Sequence, residues 1–529
     1  MNKVKLITAL VVLTVSTSLT GCNNGSADFD DPNVLNICMP DLGYGTDWLY
    51  SVADGFTAKT GHRVRVEVTT TESGYVTSLW AGKAKHDIYI LREQTYALVM
   101  NNQSNYSGYT PVIARYDDIY NSEIPGEGIT FKEKMIDAYE NYNRLNAEED
   151  GLDHYYAVQW CDSVQGIVKN LDVWDSHNWK DPNTTDELIA LCDQIKSDNS
   201  YPFIWCSADS YWWNLANIWV TQYEGMDGMF GEHGFWRAYD TDGNQYVPEL
   251  WLRNGLQYAL QTLDTLVKDA NGYQHPYSES VDFTTAQGYF LIPNYNIAMM
   301  VNGDWLYKEM SKNYSNARIE MIKSPVISKI IDHPDCEGTI ANDAELSALI
   351  KAIDAGSTSL TGEGYDVSQS AFNKISEARH MYTCGSNANH IMISPAYSDS
   401  LEVVKEFMLY YASEEGIAKF ATGSGGFLPP FEASDAAIAA SNSVANDFVK
   451  GTIAIKHQSE VAPWPVYYSL LFTLGGLSVY PVIETGYSRP EHIFAQSGSS
   501  YMTGDELFYL NYNNARDHWT EYLRKAGLL

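Results

Sequence analysis

The sequence is poor in positive charge for its length. Its 529 residues include 34 Lys and Arg against 67 Asp and Glu, which gives a formal net charge of −33. Nucleic acids are polyanions that proteins hold mainly through Lys and Arg, so this balance argues against a nucleic-acid partner. The length and the 45% share of hydrophobic residues are sufficient for two lobes with buried cores.

Long hydrophobic runs are also scarce. One apolar run, residues 6–19, follows Lys3 and Lys5 and is too short to span a bilayer as a mature helix. The pattern predicts a secretory signal over residues 1–21. The run ends in Leu19-Thr20-Gly21-Cys22, which resembles the bacterial lipobox and implies acylation of Cys22; a simple signal peptide with a coincidental cysteine is the alternative. Residues 22–33 are small, polar and acidic, as in a flexible tether, and the remainder is expected to be soluble.

Cysteine and histidine occur without metal-site spacing. No CxxC pair or Cys/His cluster of the zinc type is present, and the 12 His are scattered, so we expect no metal and no cofactor. A chain of this length does not need disulfides for stability. Free buried thiols are therefore expected, with one bridge such as Cys336 to Cys384 as the alternative. The cysteines after Cys22 are Cys38, Cys161, Cys192, Cys206, Cys336 and Cys384.

The common catalytic motifs are absent. The sequence has no HExxH, GxSxG, P-loop or dinucleotide fingerprint. Residues 240–244 resemble a calcium-binding loop in composition. However, Gln245 and Trp251 occupy the positions where an EF-hand needs Gly and Glu, so a surface hairpin turn is favoured. Because the chain has 67 acidic residues, its composition does not exclude a glycosidase that uses two carboxylates.

The segment that follows the tether has the order strand, helix, strand, strand. Residues 34–39 are mainly apolar, and a helical stripe runs through Leu49, Val52, Ala53 and Phe56. Strands are predicted at residues 64–68 and 87–91. Such a repeat builds a parallel sheet, whose ligands lie at the carboxyl ends of the strands. That rule selects Tyr44, Trp48, Glu72, Tyr75, Glu93 and Gln94 as candidate binding residues.

The second half contains two further helices and an insertion. A helical stripe begins at Leu401, a second short helix runs through Phe420, and the glycine cluster at residues 423–426 predicts a tight turn. Residues 330–379 are polar and interrupted by glycine, with a helical stripe at residues 346–353, and we interpret them as an insertion.

Aromatic residues make up 13% of the chain, with 38 Tyr and 14 Trp. Several lie next to Gly, Pro, Asp or Asn, a setting that suits sugar recognition because sugar CH faces stack on aromatic rings while carboxylates and amides take the hydroxyls. Burial in the core is the alternative. The clearest cases are Trp160 beside Asp162, Tyr211 before Trp212 and Trp213, Trp305 in Asn302-Gly303-Asp304-Trp305, and Trp464 between two prolines.

Taken in order, several segments resemble the bacterial extracellular solute-binding proteins of family 1, which are lipoprotein receptors of carbohydrate ABC importers. The segments are the lipobox, the strand-helix-strand opening with residues 56–61, Tyr156-Ala157-Val158-Gln159 leading to residues 166–170, residues 297–305, and the helices from Leu401 with their glycine turn. The insertion and the Gln159-Trp160-Cys161 stretch, where many relatives carry Pro, depart from the family pattern.

The resemblance implies an α/β fold of the periplasmic-binding-protein type, with two lobes, hinge strands and a ligand cleft between the lobes. The chain would cross near residues 155–162 and again near residues 384–394. Lobe 1 would comprise residues 34–155 with 390–430. Lobe 2 would comprise residues 156–389 with 431–529, including the insertion at 330–379.

The resemblance also implies a binding role without catalysis. In maltose-binding relatives the Trp that corresponds to Trp305 stacks on a sugar ring, and Tyr211 and Trp464 match further aromatic positions. Asn302, Asp304, Trp160 and Asp162 complete the predicted site. The expected partners are a sugar or short oligosaccharide, an ABC permease with its cytoplasmic ATPase, and the outer face of the bacterial cell membrane through Cys22. The protein is expected to be a monomer and, given its acidity, to prefer neutral glycans.

Two other functions remain open at this point. One is a secreted glycoside hydrolase with paired carboxylates. The other is a receptor for a peptide or another non-sugar solute, because the same fold can serve many ligands.

Overall fold

The computed structural model describes residues 31, 33–72, 74–92, 95, 99, 112–145, 154–206, 211–278, 280–359, 367–462 and 490–525. The predicted signal, Cys22, Glu93, Gln94 and Trp464 lie outside the described residues. Among the helices that are described, none is both long and apolar enough to cross a bilayer.

The described part of the chain is mixed α/β. Its strands are β1 (Val34–Pro40), β2 (Arg63–Thr69), β3 (Ile88–Arg92), β4 (Arg144–Leu145), β5 (His154–Tyr155), β6 (Val158–Gln159), β7 (Val164–Asn170), β8 (Tyr201–Phe203), β9 (Ile297–Gly303), β10 (Ile319–Met321), β11 (Met381–Cys384), β12 (His390–Ile393) and β13 (Glu460–Ala462). Its α-helices are Asp47–Thr60, Tyr75–Trp80, Asp117–Tyr120, Phe131–Lys134, Asp137–Asn143, Leu171–Asp175, Thr185–Ser197, Trp212–Glu224, Met226–Phe230, Asn254–Val267, Phe283–Leu291, Leu306–Met310, Asp343–Asp354, Gln369–Arg379, Leu401–Ala412, Glu414–Ser424, Asp435–Val444, Asp447–His457, Pro490–Phe494 and Gly504–Lys525.

The first sheet has the strand order β2-β1-β3-β12-β6. Strand β1 pairs in parallel with β2 and with β3, which confirms the parallel opening that the sequence predicts. Strand β12 runs antiparallel to both β3 and β6. Residues 34–39 are all buried, because both faces of this central strand are covered, and a strand buried on both faces reads as a nearly continuous apolar run.

The second sheet has the order β13-β11-β7-β9-β8, and β10 adds to β7. Strands β7 and β9 are buried along their whole length and run antiparallel. The register sets Gly166 opposite Asn302 and Gln165 opposite Gly303. This pairing places the Asn302 to Trp305 segment at the end of a central strand.

The chain passes between the two sheets at several points. Residues 160–163 join β6 of the first sheet to β7 of the second, and residues 385–389 join β11 of the second to β12 of the first. Both connections overlap the segments where the sequence predicts a crossing. A further connection follows helix Glu414–Ser424, where Leu428 pairs with Asp162 and Phe431 with Met135. The exact lobe boundaries stay a prediction.

Several local predictions are confirmed. The helical stripes correspond to helices Asp343–Asp354, Leu401–Ala412 and Glu414–Ser424. The glycine turn holds Gly425 and Gly426 at φ of 93° and 110°, values that favour glycine. The Asp240 carboxylate accepts the N–H groups of Asp242 and Asn244, which closes the predicted hairpin turn. The six described cysteines are buried thiols, and the structure places none of them in a disulfide.

Helix Asp47–Thr60 crosses helix Glu414–Ser424 at very short range, because Gly423 lies at the contact. A Cβ atom at Gly423 would stand 2.7 Å from Trp48 Cα and 2.9 Å from the main-chain oxygen of Asp47. Backbone atoms cannot move aside as the end of a flexible side chain can. The absence of a side chain at Gly423 therefore sets the distance between the two helices.

We expect Gly423→Ala to lower the free energy of unfolding by about 1–3 kcal/mol, the usual cost of overpacking. Gly451, within helix Asp447–His457, is the matched control, since a Cβ there would meet nothing within 4 Å. Gly451→Ala should raise stability by about 0.5–1 kcal/mol because alanine is the better helix former. Urea unfolding of both variants measures this, and equal effects would contradict the role given to Gly423.

Candidate functional site

The connections between the sheets meet at a buried cluster of charges. Asp162 lies in the crossing between β6 and β7, Asp304 follows β9, and Lys456 is in the last turn of helix Asp447–His457. The Lys456 Nζ lies 3.4 Å from the Asp162 carboxylate and 3.8 Å from that of Asp304. It also donates to the main-chain oxygen of Asp162 at 2.8 Å. One ammonium group thus joins two carboxylates from different segments.

Hydroxyl groups surround both carboxylates. Tyr139 and Tyr382 donate to Asp162 Oδ1 at 3.0 and 2.7 Å. Tyr44 and Ser163 donate to Asp304 Oδ1 at 2.7 and 2.9 Å. The main-chain N–H of Val164 donates to Asp304 Oδ2 at 3.1 Å. Because buried charges are tolerated only when they are paired and hydrogen-bonded, these donors are what keep the cluster compatible with the core.

The electrostatics of the cluster follow from burial. Loss of solvent raises the pKa of the Asp304 carboxyl above its ordinary value. For Lys456, burial acts to lower the pKa of the ammonium, but the nearby carboxylates of Asp162 and Asp304 outweigh it, and the pKa is raised. Lys456 therefore stays charged at neutral pH. Its charge compensates the negative side chains it touches.

Trp305 and Tyr211 form an aromatic corner beside this cluster. Their ring centroids are 5.5 Å apart with an interplanar angle of 82°, and Tyr211 also meets Phe283 edge-on at 5.1 Å. A Cβ at Gly303 would lie 1.9 Å from Trp305 Cζ3, and one at Gly385 would lie 2.9 Å from it. Both glycines therefore let the backbone pack on the indole ring. Trp305 is 2% exposed and Tyr211 is half-buried.

Tyr44, Trp48 and Trp160 are completely buried. The Tyr44 ring stacks on Phe427, with centroids 3.7 Å apart and planes 3° from parallel. Trp48 packs on Trp160 at 5.1 Å and on Phe420 at 4.9 Å. In this conformation the two indole rings are part of the core. The Tyr44 hydroxyl, by contrast, reaches Asp304 and so links a loop of the first sheet to a strand end of the second.

The other predicted site residues take local partners. The Asn302 side chain accepts the N–H of Gly303 at 2.8 Å. Glu72 accepts the N–H of Arg92 at 3.0 Å, and the Tyr75 hydroxyl lies 2.8 Å from Cys38 Sγ. The structure thus brings Tyr44, Asp162, Asp304 and Trp305 to one region, whereas Glu72 and Tyr75 bond to neighbours in the first sheet. Trp464 and Gln94 lie outside the described residues.

A cavity of about 590 Å³ lies next to the charged cluster. Its lining includes polar side chains of Asp137, Asp162, Glu377, His380, Tyr382 and Lys456. A volume of this size is within the range of small-molecule sites. Its walls combine hydroxyl, carboxylate and ammonium groups, which are suited to polar ligands.

Sequence reasoning missed four members of the cluster: Lys456, Ser163, Tyr139 and Tyr382. For Lys456 a signal exists, since the buried face of its helix runs through Phe448, Val449, Thr452 and Ile453 and continues at Lys456. A lysine that extends an apolar stripe at helical spacing indicates a buried cation with a partner. Ser163, Tyr139 and Tyr382 show no comparable pattern.

Removal of the Lys456 charge should be costly. Lys456→Met leaves two buried carboxylates without their cation, and we expect the free energy of unfolding to fall by about 3–5 kcal/mol. Lys450 on the same helix is the matched control, because its side chain is 45% exposed and only 3.8 Å from Asp447; Lys450→Met should change stability by less than about 0.5 kcal/mol. Chemical unfolding of both variants tests this, and similar values would contradict the role of Lys456.

The sequence model of one protein family matches residues 43–330, and the family is described as bacterial extracellular solute-binding protein. No curated protein sequence matches the chain. Several solved solute receptors, however, have folds similar to that of this chain. The bacterial solute receptor AcbH, described as having an exclusive preference for β-D-galactopyranose, is 14% identical over 92% of this chain and 98% of its own, with a TM-score of 0.54.

Two further solved structures are similar. The GacH receptor of Streptomyces glaucescens, solved with and without acarbose, is 14% identical over 93% of this chain and 98% of its own, with a TM-score of 0.53. RafE from Streptococcus pneumoniae has the same identity and coverage and a TM-score of 0.54. These likenesses establish the two-lobed solute-binding fold. Because the family match spans more than half of the sequence, the chain belongs to the family of bacterial extracellular solute-binding proteins.

Proposed function

We propose that this protein captures a neutral sugar or short oligosaccharide in the cleft between its lobes and delivers it to the permease of an ABC importer. The observation that carries the proposal is the aromatic corner of Trp305 and Tyr211 beside Asp304, at the point where the chain passes between the two sheets. An indole face offers a stacking surface for sugar CH groups, and the neighbouring carboxylates and hydroxyls can bond the sugar hydroxyls.

The similar folds of known receptors support this ligand class. AcbH is described by its preference for β-D-galactopyranose, GacH by its complex with acarbose, and RafE by its complex with raffinose. All of these ligands are carbohydrates. The sequence identities are only 13–14%, so these structures show the fold of this chain and not its ligand. The carbohydrate ligand class is therefore part of the proposal.

Ligand entry requires movement between the lobes. Trp305 is 2% exposed, and the Tyr44 hydroxyl bonds to Asp304 across the two sheets. We infer that the lobes separate by a hinge motion at the connections between the sheets, which breaks this contact and uncovers Trp305. A sugar that touches both lobes then favours the closed form, because its contacts with the second lobe are made only there.

Capture is favoured over hydrolysis by the state of the two buried carboxylates. A glycosidase needs one carboxyl group free to donate a proton and another free to attack the sugar or activate water. Asp162 and Asp304 instead accept hydrogen bonds from four hydroxyl groups and share Lys456. Such bonds hold carboxylates in place as structural anions. The family and the similar structures are likewise binding proteins.

The proposal is tested by calorimetric titration of the reduced protein with neutral mono- to tetrasaccharides, uronic acids and short peptides. We expect one neutral glycan to bind with 1:1 stoichiometry and to be recovered unchanged. Release of shortened products would identify a hydrolase, and binding of peptides alone would identify a peptide receptor. Either result would overturn the proposal.

Trp305→Ala should weaken binding of that glycan by about 2 kcal/mol or more, roughly 30-fold, as for a central aromatic contact. Trp174→Ala is the matched control, because Trp174 is also buried and packs edge-on against Trp179 at 5.6 Å, as Trp305 does against Tyr211. The control should lose stability but keep its affinity. Unchanged affinity in a folded Trp305→Ala protein would show that the sugar does not stack there.

We further propose that Cys22 is lipidated and holds the receptor on the outer face of the cell membrane. The lipobox-like Leu19-Thr20-Gly21-Cys22 supports this, and more than one acyl chain is needed for durable anchoring. In a bacterial host, the wild-type chain should fractionate with membranes, and Cys22→Ala should not. Mass spectrometry of the N-terminal peptide reads the modification directly, and an unmodified cysteine in the membrane fraction would contradict the assignment.

A further inference from the structure

A second group of polar side chains lies at the edge of the first sheet, on β1, β2 and the turn before β3. Cys38 is on β1, and its direct neighbours in register are Glu67 on β2 and Tyr89 on β3. His86 lies just before β3. The Cys38 sulfur, a carboxylate oxygen of Glu67 and a ring nitrogen of His86 all lie within 4.8 Å of one another. Three residue types that bind metals thus converge from three separate segments.

The three ligand atoms lie within 4.8 Å of one another, near enough for small side-chain movements to bring them onto one zinc ion. Zinc binds thiolate sulfur at about 2.3 Å and imidazole nitrogen or carboxylate oxygen at about 2.0–2.2 Å, so ligand atoms around one ion stand roughly 3.3–3.6 Å apart. The Nε2 of His86 and a carboxylate oxygen of Glu67 are already 3.0 Å apart. A shift of roughly 1 Å in side-chain positions would complete the geometry.

Neighbouring tyrosines hold two of the three ligands in place. The hydroxyl of Tyr75 lies 2.8 Å from Cys38 Sγ, and that of Tyr89 lies 3.3 Å from His86 Nδ1. Bound to a metal through Nε2, His86 carries its proton on Nδ1 and donates it to the Tyr89 oxygen, while Tyr75 donates to the sulfur. Contacts of this kind orient the ligands of protein metal sites and tune their affinity.

The site is open on one side. Cys38 and His86 are buried, whereas the side chain of Glu67 is 52% exposed. Glu67 lies on β2, which is the edge strand of the sheet. An ion can therefore enter from solvent past Glu67, and a water molecule can fill the fourth position on that side.

We propose that Cys38, Glu67 and His86 bind one borderline-soft divalent cation, of which zinc is the type, and that this ion fastens the edge strand β2 to β1 and to the turn before β3. On binding, the Cys38 thiol gives its proton to solvent and the sulfur forms a bond to the metal; no electron is transferred. The site belongs to the first sheet and is independent of the proposed sugar function.

Cobalt(II) is the probe, since its complexes with thiolate absorb in the near ultraviolet. Titration of the reduced full chain with Co²⁺ should give one equivalent of binding with a thiolate-to-cobalt band, and Zn²⁺ should abolish the band. Cys38→Ser should remove the band. Cys192→Ser, at an equally buried free cysteine in helix Thr185–Ser197, should keep it.

Glu67→Gln changes an exposed side chain, and with His86→Gln it tests the other two ligands without depending on the buried thiol. Each should weaken Co²⁺ binding at least tenfold, and Tyr75→Phe should weaken it about 10- to 100-fold, as loss of an outer hydrogen bond does. The wild-type chain should also melt at a higher temperature with Zn²⁺, and Glu67→Gln should lose this shift. Absence of the band in the wild type, its persistence in Cys38→Ser, or wild-type affinity in both Glu67→Gln and His86→Gln would overturn the proposal.

Discussion

The arrangement of the two sheets depends on one buried ammonium group. Lys456 joins Asp162, which lies in a crossing between the sheets, to Asp304, which ends a central strand of the second sheet. Because each carboxylate is buried, neither would be stable in this place without the cation and the hydroxyl donors around it. The Tyr44 hydroxyl extends the same network to the first sheet. The ion pairs and hydrogen bonds between the sheets therefore depend on the positive charge of Lys456, which the two buried carboxylates require.

This network also explains why the proposed ligand site lies where it does. Trp305 directly follows Asp304, and Gly303 and Gly385 let the backbone close on its ring. The residues that anchor the strand end thus also position the aromatic corner with Tyr211. In the proposed function, the hinge motion that separates Tyr44 from Asp304 would also change the access to Trp305, because Trp305 directly follows Asp304.

The regular elements were accessible to sequence reasoning because they depend on local periodicity. The stripe through Leu49, Val52 and Phe56 is a helix, and the alternation at Val64, Val66 and Val68 is a strand, as predicted. Burial of particular aromatics was not accessible, since Trp48 and Trp160 lie beside loops in the sequence yet have no exposed surface. Lys456, Tyr139 and Tyr382 converge on Asp162 from positions up to 294 residues away, a relation that no local pattern encodes.

The sequence by itself determined the export-type leader pattern, the α/β class and the strand-helix opening, because each of these depends on residues that are close together in the chain. Its resemblance to a receptor family also held, since the family match extends over residues 43–330. Only the tertiary structure decided which of many acidic residues are buried together and which lysine balances them. The same holds for Cys38, Glu67 and His86, whose wide spacing predicts no metal site; parallel pairing of β1 with β2 and β3 brings them within 4.8 Å of one another. Charge pairing and metal geometry depend on distances in space, and these are set by the register of strands that lie far apart in the chain.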